Sequence, residues 1–98
     1  MATVYITEYV GPMMQIGIIP IAQEPEIASQ TVAIGAGSVQ SSAFNSATTF
    51  IRVHTDAICS VKVGSNPTAT AASKRLAANQ TEYFGVSPGH KIAVITNS

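Results

Sequence analysis

The sequence predicts an all-β fold: one domain, an antiparallel β-sandwich or jelly-roll-like small barrel of about seven or eight short strands. Three observations carry this. Apolar and polar residues alternate with the strand period of two along most of the chain. Turn residues interrupt the alternation at close intervals, as at Gly11-Pro12, Asn66-Pro67 and Ser87-Pro88-Gly89. No segment combines helical periodicity with several large apolar anchors.

The elements follow in order. In Thr3 to Tyr9, Val4 and Ile6 share one face while Tyr5, Thr7 and Tyr9 share the other. Gly11-Pro12 ends this strand. The apolar run from Met13 to Ile21 is interrupted by Gly17 and Pro20, and a proline cannot donate to a ladder, so the run belongs at an edge or end of a sheet. Residues 1–22 thus form an N-terminal segment suited to an interface strand or arm. Gln23 to Glu26 reads as a loop. Ile27 to Ile34 is a strand, Gly35 to Ser38 a turn, and Val39 to Ala47 a weak strand flanked by loop. Thr49 to Thr55 is the clearest strand, with Ile51 and Val53 alternating with Phe50, Arg52 and His54. Asp56-Ala57 turns the chain. Ala57, Cys59, Val61 and Val63 then share a face, opposite Ile58, Ser60 and Lys62. Gly64 to Ser73 reads as a long surface loop. Alanine content alone offers a short helix from Ala69 to Asn79, but Leu76 is its sole large anchor, which favours extended chain. Glu82 to Val86 is a strand. Ser87-Pro88-Gly89 is a tight turn, with proline presetting φ and glycine supplying positive φ. Lys91 to Thr96 closes the domain as a strand apolar on both faces.

Composition narrows the function. The chain has 98 residues, enough for one domain. It is 46% hydrophobic and 10% charged, the latter far below the roughly 25% usual for soluble domains. Five basic and five acidic residues cancel, and the basic ones are scattered singly, which excludes the electrostatic footprint of a nucleic-acid binder. A charge-poor surface repels copies of itself weakly and points to association with sister subunits or partners. The single cysteine, Cys59, forbids an intrachain disulfide. The N-terminus carries no signal-peptide pattern, and the most apolar stretch, Met13 to Ala22, is far shorter than the ~20 residues of a membrane-spanning helix. These features predict a protein made in a cytoplasm, without membrane insertion.

Chemistry-bearing residues are few. His54, Asp56 and Cys59 supply the ingredients of a thiol nucleophile or a metal site, but no glycine-rich or helix-start context lowers the cysteine's pKa. His54 and His90 lack a supporting thiolate or carboxylate cluster. Gly35-Ala36-Gly37 is not followed by the Lys-Ser/Thr of a phosphate loop. The expectation is no catalytic residue, no metal and no cofactor. Tyr5, Tyr9 and Tyr83 are the sole tyrosines and tryptophan is absent, which weighs against an aromatic sugar platform. Partner contact is expected instead at the apolar residues Met13, Met14, Ile16 and Ile18 and at the loop residues Asn66 and Pro67.

From Ile51 to Ile95 the chain resembles small virion structural proteins of tailed bacteriophages and prophages. The residues that carry the likeness are Val63-Gly64 ahead of Asn66-Pro67-Thr68-Ala69-Thr70, the Arg75-Leu76-x-Ala78 step, Glu82-Tyr83-Phe84-Gly85-Val86, and Pro88-Gly89-x-Lys91-Ile92-Ala93-Val94-Ile95. They span slightly less than half of the chain. The resemblance implies a head decoration or cement protein of the virion, made in the host bacterial cytoplasm, often trimeric, and bridging major capsid protein subunits. A tail, neck or fibre-attachment protein and a ligand- or glycan-binding β-module are the alternatives.

Overall fold

The computed structural model describes residues 2–10, 12–14, 18–22 and 25–97, with 12–14 and 18–22 described through their backbone. The described residues are all strand, turn and loop, and none forms a helix long and apolar enough to cross a membrane. The strands are β1 (Thr3–Tyr9), β2 (Pro12–Met14), β3 (Ile18–Ala22), β4 (Ala28–Ala33), β5 (Val39–Gln40), β6 (Phe50–Thr55), β7 (Cys59–Gly64), β8 (Lys74–Leu76), β9 (Thr81–Gly85) and β10 (Lys91–Thr96). Eight of them form two antiparallel four-stranded sheets, ordered β4-β1-β6-β9 and β5-β10-β7-β8. Among the described residues the other two, β2 and β3, pair only with each other.

The alternation read from the sequence becomes the core. Val4, Ile6, Val32, Ile51 and Val53 face inward from the first sheet. Cys59, Val61, Leu76, Ile92 and Val94 do so from the second, and Phe44 joins them from the β5–β6 connection. Each is almost fully buried. The chain after β5 keeps following β10, because the Ser41 amide donates to the Ile92 carbonyl, the Ile92 amide donates to the Ser41 hydroxyl oxygen, and the Phe44 amide donates to the His90 carbonyl at 2.8 Å. The weak strand expected over Val39 to Ala47 is therefore a two-residue ladder continued by irregular bonds.

Side chains close the two open flanks of the sandwich. On the β4/β5 side the Gln30 amide grips both the N–H and the carbonyl of Ser42, at 2.9 and 3.2 Å. On the β8/β9 side the Lys74 ammonium lies 4.7 Å from the centre of the Phe84 ring. The expected extended reading over Ala69 to Asn79 holds where β8 forms. The Ser87–His90 turn has the anticipated geometry, with the His90 amide donating to Ser87 at 3.2 Å and Gly89 at φ +79. Asn79 also takes a positive φ, 62, in the turn that leads into β9. Asparagine tolerates that conformation better than most residues.

Pro20 sits in β3, a strand of a two-stranded ladder, where one side needs no donor. The apolar run of the sequence thus folds back on itself as a hairpin between β1 and β4, the second and outer strands of one sheet.

Candidate functional site

The predicted chemical residues do not converge. His54 projects from the outer face of β6, where its Nδ1 lies 2.8 Å from the Thr81 hydroxyl. Cys59 is fully buried in the core, on the other side of that sheet. Asp56 is exposed in the bend between them and lies 3.5 Å from the Tyr5 hydroxyl. Odd and even positions of a strand point to opposite faces, so His54 and the buried Thr55 that contacts Cys59 at 3.5 Å cannot serve one site. Burial pushes the Cys59 thiol up, against a smaller opposite pull from the Thr55 hydroxyl. That is the reverse of an activated nucleophile. Iodoacetamide should leave Cys59 unmodified in the native chain and label it fully in denaturant. Stoichiometric native labelling, read by mass spectrometry, would contradict this burial. Among the described residues no group of histidine, cysteine and carboxylates could hold a metal ion.

The expected partner-contact residues divide. Met13 and Met14 fall in β2 and Ile18 opens β3, but their side chains, and all of Ile16, lie outside the described residues. Asn66 is exposed, with its side-chain oxygen accepting from Gln40 at 2.9 Å. Pro67 is buried, and its carbonyl accepts from the same Gln40 amide at 2.8 Å. Gln40 therefore pins this loop to β5. Asn97 secures the loop's far end by donating to Ser60 at 2.7 Å and to the Ala71 carbonyl at 3.2 Å.

A different surface gathers the aromatic residues. Registers in the first sheet place Tyr5 opposite His54 and Thr31, Thr7 opposite Arg52 and Ser29, and Tyr9 opposite Phe50. β9 adds Thr81 beside His54 and Tyr83 beside Arg52. All these side chains share the outer face, since directly paired residues of an antiparallel ladder lie on one side. Phe50 and Tyr83 stack with ring centroids 5.5 Å apart and planes 13° from parallel. Tyr9 and Phe50 meet at 6.1 Å, and Tyr5 and His54 at 6.4 Å. Tyr5 and Tyr83 are about half exposed, at 43% and 51%. A shallow open depression runs across this face, lined by Tyr5, Thr7, Ser29, Thr31, Arg52 and His54. By number alone the three tyrosines weigh against a sugar platform; the sheet order brings all three to one face.

Comparisons of the chain with protein-family models, curated proteins and solved structures found no match.

Proposed function

We propose that this chain is a non-enzymatic structural protein of a tailed-bacteriophage particle, a decoration or cement protein that stabilises the head by bridging major capsid protein subunits. The observation that supports it best is the β2–β3 hairpin. Among the described residues its strands join the ladder of neither sheet, and the sequence from Pro12 to Ala22 contains no charged residue. A two-stranded ribbon is marginal alone in water, so an apolar one gains stability from a further surface or strand. The rest of the chain is a side-chain-locked β-sandwich that would hold such an arm in place. Self-association as a trimer would multiply weak arm contacts on a repeating lattice. The resemblance over Ile51 to Ile95 selects a phage particle as the setting.

Purified heads carrying the protein should resist thermal and osmotic rupture better than heads lacking it. A Met14→Asp, Ile18→Asp chain should keep the parent's circular dichroism and lose head binding by about tenfold or more, as expected for burying unpaired charge. Equal rupture resistance with and without the protein would sink the cementing role. A copy number that follows the tail axis instead of the head lattice would move the protein to the tail, neck or fibre attachment.

A further inference from the structure

We infer that the outer face of the β4-β1-β6-β9 sheet binds a carboxylate-bearing oligosaccharide, with Arg52 receiving the carboxylate and Tyr5 and Tyr83 packing against sugar rings. This surface is separate from the hairpin, and the inference does not depend on the virion reading.

Three features of the face define the occupant. The first is charge. Arg52 is the one permanently charged residue lining the depression, and no described residue pairs with its guanidinium. Of the described carboxylates, Glu8 faces the core, where it accepts from Thr48, and Glu82 accepts from Gln80. Asp56 and Glu26 stand at the rims, 3.5 Å from the Tyr5 and Ser29 hydroxyls. A guanidinium fork with no acid paired to it among the described residues matches a carboxylate in a bidentate fashion.

The second is the floor. Thr7, Ser29 and Thr31 contribute short hydroxylated side chains between the larger groups. Such a floor exchanges hydrogen bonds with a polyhydroxylated ligand. The third is the placement of rings. Tyr5 and Tyr83 lie two strands and one two-residue step apart, about 12 Å from strand geometry. Arg52 lies between them, and the parallel Phe50–Tyr83 pair extends the ring surface at one side. Exposed aromatic faces at that separation present an apolar body with a polar tip to a short oligosaccharide.

Other occupants fit less well. A nucleic acid would call for several cations tracking its phosphates, and this face has one arginine. An apolar protein surface would bury Arg52 without a partner, which is costly.

The experiment is an amide chemical-shift titration of the full chain with trigalacturonate, maltotriose and triglutamate. Trigalacturonate should shift Tyr5, Thr7, Arg52 and Tyr83 saturably. Arg52→Ala should weaken it about tenfold or more, the size of a lost charged hydrogen bond, with Arg52→Lys between the two. Tyr83→Ala should also weaken it, and both variants should keep the dispersed spectrum of the folded chain. Maltotriose and triglutamate should bind at least about tenfold more weakly, since each lacks one of the two required chemistries. The proposal is overturned if trigalacturonate does not saturate, if maltotriose or triglutamate binds equally well, or if Arg52→Ala binds like the parent.

Discussion

A Glu8→Ala chain should unfold about 3 kcal/mol more easily than the parent. Glu8 lies on the inner face of β1 and is 3% exposed. Its carboxylate accepts from the Asn45 amide at 2.7 Å and the Thr48 hydroxyl at 2.8 Å on one oxygen, and from the Gln30 amide at 3.2 Å on the other. These bonds organise the connection between β5 and β6, which has little regular structure of its own. Truncation leaves the Asn45 N–H and the fully buried Thr48 hydroxyl without an acceptor, at about 1–3 kcal/mol for each orphaned group. Relief from burying a charge offsets part of this, which is why the expected loss is nearer the cost of one group than of both. Glu8→Gln keeps an oxygen for Asn45 and Thr48 and should lose only about 1 kcal/mol. Urea unfolding with an unchanged slope would read both values as midpoint shifts. An alanine variant as stable as the parent would mean that desolvation cancels the whole network.

Glu8 also shows which parts of the molecule were legible in the sequence. Strict alternation put Val4 and Ile6 on one face of β1, and position 8 falls on the same face by the same count. The signal was present, but an acid at a core position becomes intelligible only when its donors are known, and Asn45 and Thr48 lie about 40 residues away. The long strands β1 and β6 were readable because several consecutive residues obey the period, and β10 because an apolar run on both faces follows a well-marked turn. β8 has three residues, Lys74 to Leu76, too few to establish one. The outer face was half legible. Tyr5 with Tyr9, and Phe50 with Arg52 and His54, could each be assigned to a common side of a strand. What joins them is the adjacency of β1, β6 and β9, a long-range pairing that local pattern does not encode. The hairpin was hidden for a related reason: Gly17 and Pro20 marked a break in the apolar run without saying that its halves pair.

Ile51→Ala should be the most damaging single truncation in the first sheet, at about 4 kcal/mol within the 2–5 typical of buried isoleucine. Ile51 is fully buried on the central strand β6, with Glu8 opposite it on β1 and Phe84 on β9. Hydrogen-bonded strands on both sides hold that part of the sheet, so neighbouring groups cannot collapse easily into the space. Ile51→Val, which removes one methyl, should cost about 1 kcal/mol. The combination with Glu8→Ala discriminates further, because the two residues are direct cross-strand neighbours on the inner face. Each single change leaves a defect at the same place: one a void, the other two unpaired donors. In the double variant the void is bordered by polar groups and can hold water, whereas an apolar void stays dry. A water there would satisfy Asn45 and Thr48. The combined loss should therefore fall short of the sum by about 1 kcal/mol, a coupling within the range for contacting residues. Strict additivity in the urea midpoints would mean that the Glu8 network and the Ile51 packing are independent despite their register.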